Sequence, residues 1–144
     1  MVEQPETMVE DWRDVADRLV VHYETVGDLE KIIELVGPHL SLAIALELET
    51  PVEKIYHYLG QIKTVQLMSI KRLGFSGEAF DDRVLEKIKT LKTNWPDVKV
   101  IVDGGINLEI AKKLKEAGAD DLIVGSQIWQ SNNVEEAIRS FNNL

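Results

Sequence analysis

Val100-Ile101-Val102-Asp103-Gly104-Gly105-Ile106-Asn107 is the stretch that decides the fold. An apolar strand delivers one carboxylate and two glycines to the point where a helix begins. The pattern returns as Leu122-Ile123-Val124-Gly125-Ser126. A strand that ends in Gly-Gly or Gly-Ser before a helix start is how parallel α/β proteins hold a phosphate. Glycine lets the backbone come close, and N–H groups there are free to donate. Asp103, beside that turn, is the natural candidate for chemistry.

Working outward, short apolar runs alternate with amphipathic ones. Strands are expected at Arg18–Tyr23, Ser41–Leu48, Thr64–Ile70, Val98–Val102 and Asp121–Val124. Each reads as apolar and mostly non-alternating, as in parallel strands buried on both faces. Helices are expected near Glu6–Ala16, Val26–Val36, Pro51–Leu59, Asp81–Thr93, Leu108–Ala117 and Val134–Phe141. Thr50-Pro51-Val52-Glu53 reads as an N-cap, a first-turn proline and a capping-box Glu. Asn107 caps the helix after the Gly-Gly turn, and Gly118 stands where a helix-ending glycine belongs. Asn94-Trp95-Pro96-Asp97 stops a helix. Periodicity alone fits either a five-stranded doubly wound sheet or part of a (βα)8 barrel, which typically takes about 250 residues.

The bulk numbers bound the rest. With 144 residues, 44% of them hydrophobic, one domain with a real core is expected. The 16 basic and 25 acidic residues give a net charge of −9. That argues against nucleic acid or an anionic membrane as partner, though not against a small phosphorylated ligand held by N–H groups. The absence of cysteine excludes disulfides and thiolate chemistry. No apolar run approaches the roughly 18 residues of a membrane span, and no signal-peptide core is evident, so a cytoplasmic location is expected.

In order, the motifs are Thr64–Phe80 (TVQLMSIKRLGFSGEAF), VDGGIN at Val102–Asn107, EAGAD at Glu116–Asp120 and VGSQIW at Val124–Trp129. This set resembles the C-terminal part of the ribulose-phosphate 3-epimerase family, a (βα)8 barrel. Ala16–His22 is similar to the family's fourth strand, Ala43–Pro51 to its fifth strand and turn, and Met1–Glu6 to the segment after its third. The resemblance covers essentially the whole chain. It implies a single domain, residues 1–144, forming an incomplete barrel of about five strands.

The resemblance also implies roles. Asp103 matches a metal ligand that is also one of two acid/base carboxylates, and Met68 matches a methionine on the catalytic floor. Gly77, Gly104, Gly105, Gly125 and Ser126 match the phosphate grip. The implied cofactor is a divalent metal (Zn, Fe or Mn) and the implied partner a sugar phosphate. The implied reaction interconverts D-ribulose 5-phosphate and D-xylulose 5-phosphate by proton transfer at C3. In the family, a Ser, two metal-binding His and the other Asp lie on earlier strands, and none has a counterpart here. Weak or absent turnover is therefore expected of this chain alone. The alternatives are a catalytically inactive, truncated domain that binds a sugar phosphate or a partner chain, and a relative acting on a hexulose phosphate. A homo-oligomer is expected to cover the open barrel edges.

Departures from the family pattern are informative. Gly74-Phe75-Ser76-Gly77 replaces Gly-Phe-Gly-Gly and follows Lys71-Arg72-Leu73, which implies a less pre-shaped loop with two cations beside it. Glu47 and Glu49 replace an Asn-Pro pattern and could be metal ligands, bases or solvated charges. His22 reads as a structural histidine, and His39 and His57 receive no role. Trp12, Trp95 and Trp129 read as packing anchors, with a partner contact as the alternative for Trp129.

Overall fold

Side chains alternate along every strand, and the alternation separates two environments. The structure is a computed structural model that describes residues 2–38, 40–75 and 77–144; His39, and Ser76 of the Gly74–Gly77 motif, lie outside them. Strands β1 (Arg18–His22), β2 (Ser41–Leu46), β3 (Thr64–Met68), β4 (Lys99–Asp103) and β5 (Asp121–Ile123) form one parallel sheet in the order β1-β2-β3-β4-β5. Parallel crossovers are right-handed, so an order that never reverses puts every crossover on the same face of the sheet. That is the arrangement of a barrel wall. A doubly wound sheet needs a reversal to put helices on both faces, so that alternative is excluded.

The helix-facing side holds the core. Val21, Ile44, Leu46, Val65, Leu67, Val100 and Val102 pack there with Leu29 and Ile32 of α2 (Leu29–Val36), Val84, Ile88 and Leu91 of α3 (Arg83–Asn94) and Ala111 and Leu114 of α4 (Leu108–Ala117). Most are fully buried, each contributing about 1.5–3 kcal/mol by leaving water. The opposite face is mixed. It carries His22, Ala43, Ala45, Thr64, Gln66, Met68, Ile101 and Asp103. The central strands are buried on both faces, as expected, but the second face is not uniformly apolar. Val20 and Ile123, on the two edge strands, are each 43% exposed.

Helix boundaries follow from caps. The side chain of Asp28 accepts from Lys31 N–H at 3.0 Å, so α2 starts at Leu29 rather than Val26. Asn107 accepts from Ile110 N–H at 2.9 Å, and Gly118 closes α4 at φ 103°, both as expected. Thr50 does not cap a helix. Its N–H bonds back to Glu47 in a turn, Pro51 is extended, and a 3-10 helix, Val52–Tyr58, follows without a side-chain cap. The N-terminal helix is broken into a 3-10 turn at Pro5–Thr7 and a short α1 (Val9–Arg13). Two helices complete the chain, the unanticipated α5 (Ser126–Trp129) and α6 (Val134–Asn142). Trp95 packs on Tyr56, whereas Trp12 and Trp129 are exposed rather than anchored.

The Asp of the EAGAD motif ties three elements together. Asp120 Oδ2 accepts from Val100 N–H at 2.6 Å and from Lys92 Nζ of α3 at 2.6 Å. Lys92 also donates to Val98 C=O at 2.9 Å. Partial burial acts to raise the Asp120 carboxyl pKa. The Lys92 and Val100 donors outweigh it and hold the carboxyl below its ordinary value. Asp120→Ala would leave the buried Val100 N–H unpaired, at a cost of about 1–3 kcal/mol in urea denaturation. A lowered folded-state pKa also has a definite sign. The contribution is present above the ordinary carboxyl value of 3.8 and is lost as pH falls below it. The advantage of wild type over Asp120→Ala should therefore shrink as the pH falls below 3.8, and a difference that grows in acid would refute this.

Candidate functional site

The site lies at the C-terminal ends of β3, β4 and β5. Asp103 ends β4 and pairs in register with Met68 of β3 and Ile123 of β5. Its Oδ2 accepts from Gln66 Nε2 at 3.2 Å, and the same Nε2 lies 3.5 Å from Met68 Sδ. Burial pushes the Asp103 carboxyl up from its ordinary value, against the electrostatic pull of His22.

Ser69 fixes the strand ends. Its buried hydroxyl makes contacts of 3.0 Å to Asp103 C=O and 2.6 Å to Gly104 C=O, and its N–H donates to Asp103 C=O at 2.9 Å. Its own C=O accepts from Asp81 N–H at 2.9 Å, which seats the far end of the β3–α3 loop. That loop lies directly on Gly105. A Cβ there would come within 2.7 Å of Phe80 N and 2.9 Å of Glu78 O, at a φ of +64°. Both facts demand glycine.

One cavity of about 290 Å³ is lined by Met68, Gly77, Asp103, Gly104, Gly105, Gly125 and Ser126, together with Ile70, Phe75, Glu78 and Ile123. Every residue singled out from the sequence for catalysis or phosphate binding borders it. Among the described residues, the turn and loop hydrogen bonds leave the N–H groups of Gly105, Gly125 and Ser126 unused. Gly125 differs from Gly105, because a Cβ would meet nothing within 4 Å. No packing reason for glycine exists there.

The cations expected beside this site are already paired. Arg72 pairs with Glu78 and lies 5.4 Å from the Phe75 ring centroid, and Lys71 is 4.0 Å from Asp81. Glu49 makes a two-pronged contact with Arg83, at 2.8 and 3.0 Å. Arg83 also holds the Asp81 carboxyl down to about 2, through side-chain and then backbone hydrogen bonds.

Sequence reasoning missed Gln66 and Ser69. The signal for Gln66 was present, since an amide within Thr64-Val65-Gln66-Leu67-Met68 at even spacing from Met68 must share its face. Nothing local marked Ser69, whose partners lie 34 and 35 residues away. His22 was read as structural. It stands at the end of β1 with Nδ1 buried and unpaired, beside Glu24 and Glu47.

Asp103 is the one residue on this cavity, among the described residues, that the resemblance assigns to a divalent metal. The polar group bonded to its carboxylate is the Gln66 amide N–H, a donor. The other carboxylate on the cavity, Glu78, is paired with Arg72. No imidazole borders the cavity among the described residues.

Consecutive parallel strands with helices on one face, and a cavity at the strand ends on the other, define a protein of the (βα)-barrel class. Solved structures agree. A 3-hexulose-6-phosphate synthase superposes with a TM-score of 0.71 at 17% identity, covering 96% of this chain and 67% of that one. The orotidine 5'-phosphate decarboxylase of Pyrococcus horikoshii gives 0.67 at 21% identity, covering 99% and 69%. The profile of the ribulose-phosphate 3 epimerase family matches residues 1–129, and the chain belongs to that family. The ribulose-phosphate 3-epimerase of Methanocaldococcus jannaschii is 33% identical over 145 residues, 97% of this chain and 61% of its own. That of Bacillus subtilis is 33% identical, covering 96% and 66%. The chain spans between 56% and 66% of the length of four such relatives.

The two glycines predict opposite outcomes in thermal or urea unfolding. Gly105→Ala should cost at least about 2 kcal/mol, from the left-handed φ and the backbone clash. Gly125→Ala should change stability by no more than about 0.5 kcal/mol. Equal losses would contradict this account of the loop.

Proposed function

We propose that the cavity at the ends of β3, β4 and β5 binds the phosphate of a pentulose 5-phosphate. Asp103 then serves as one acid/base group of a ribulose-phosphate 3-epimerase reaction. The observation that carries the reading is the convergence of Asp103 and Met68 with Gly77, Gly104, Gly105, Gly125 and Ser126 on one cavity. Unused N–H groups suit a phosphate, and a net charge of −9 is no obstacle where local donors dominate. A carboxyl raised by burial is a better base than an ordinary one near neutral pH.

Epimerisation next to a carbonyl removes a proton from one face of C3 and returns one to the other. It takes two acid/base groups. Asp103 supplies one of them. Glu78, the other carboxylate on the cavity, is held by Arg72. That pairing favours a second reading, in which the chain binds a sugar phosphate without turning it over.

Calorimetry with D-ribulose 5-phosphate, followed by an assay for D-xylulose 5-phosphate, separates the readings. If turnover occurs, Asp103→Asn should reduce it by about 10²–10⁴-fold. Turnover that survives this change would refute the assigned role. Gly125→Ala should weaken binding by roughly tenfold with an unchanged melting temperature. Binding without product supports the second reading, and no binding at all sinks both.

A further inference from the structure

The ends of β1 and β2 carry a cluster of metal-ligating groups that the phosphate cavity does not use. His22, Glu24 and Glu47 place one potential ligand atom each within 4.8 Å of one another. The His22 side chain is only 12% exposed, and its Nδ1 is buried with no hydrogen-bond partner among the described residues. It faces Glu24 Oε2 at 3.9 Å. Leaving a buried ring nitrogen unpaired costs on the order of 1–3 kcal/mol, so its lone pair calls for a partner.

The Glu24 carboxylate is held in place, and neither Glu24 nor Glu47 is ion-paired with a lysine or arginine among the described residues. Glu24 Oε1 accepts from Glu47 N–H at 2.9 Å, which pins the Glu24 side chain to the end of β2. The nearby ammonium of Lys87 donates to the carbonyls of Glu47 and Leu48, at 2.6 and 3.1 Å. It forms no ion pair with either carboxylate among the described residues. Glu49, the next acidic residue, is occupied by Arg83. Two anionic groups and an imidazole thus converge beside one ammonium, Lys87, which is bonded to backbone carbonyls rather than to either carboxylate.

We propose that His22 Nδ1 and the carboxylates of Glu24 and Glu47 bind one transition-metal dication, of the class of Zn2+ or Mn2+. An imidazole nitrogen with two carboxylate oxygens suits these ions. Mg2+ and Ca2+ prefer oxygen-only sets. Metal–ligand lengths of about 2.0–2.2 Å require the three atoms to close up by on the order of 1 Å, within the reach of side-chain rotation. Three protein ligands leave a fourth position open. The ion would offset the two carboxylate charges at this edge of the mouth. The site lies on the same rim as Asp103 but on different strands, and Asp103 is not one of its ligands.

The test is binding, so its failure is distinguishable from failure of the proposed reaction. The full chain, stripped with a chelator, is titrated with Zn2+ by calorimetry and with Co2+ by visible absorption. One ion should bind per chain, and excess Mg2+ should not displace it. His22→Gln and Glu47→Gln should each weaken binding by more than about tenfold, whereas Asp103→Asn should change it by less than about twofold. Circular dichroism checks that each variant is folded, and Glu47→Gln carries the test should His22→Gln not fold. The proposal is overturned if wild type takes up no Zn2+, if binding survives in both folded His22 and Glu47 variants, or if Asp103→Asn abolishes it.

Discussion

The hydroxyl of Ser69, set between the carbonyls of Asp103 and Gly104, is the contact on which the geometry of the cavity depends. It locks the end of β3 to the end of β4 one step beyond the regular ladder. The Ser69 carbonyl then receives Asp81 N–H, so the same residue seats the β3–α3 loop. That loop in turn rests on Gly105 with no space for a side chain. Three separate pieces of chain are brought to one cavity through a single buried serine. Asp103 inherits its position from this arrangement, and Gln66 then orients its carboxylate.

Much of the architecture was legible because strands and helices announce themselves locally. The apolar runs at β1 to β5 were found within a residue or two, and Asn107 and Gly118 marked the limits of α4. The glycines of the cavity were legible because a strand ending in Gly-Gly or Gly-Ser has few structural readings. The barrel itself was not legible from periodicity. Strand order is a non-local property, and only the ordered motifs and then the sheet decided it.

What local reading lost were residues whose partners are distant. Ser69 and Gln66 reach β4 residues more than thirty positions away. His22, Glu24 and Glu47 meet because β1 and β2 are in register, with His22 opposite Ala45 and Glu47 one inward-facing step further on. The mixed character of the second face was lost for the same reason. Ala, Thr and Gln in a short apolar run look like weak core, and only the sheet shows that they belong to a different surface.

That division of the strands has a further consequence for how such a wall can change. The helix-facing side chains of Val, Leu and Ile form the core cluster that holds the fold. Met68, Asp103 and Ile123 stand on the opposite face and border the cavity, outside that packing. Chemistry and architecture are thus written on alternate residues of the same five segments. One register can be rewritten residue by residue while the other keeps the chain folded, which makes this scaffold tolerant of new binding specificities.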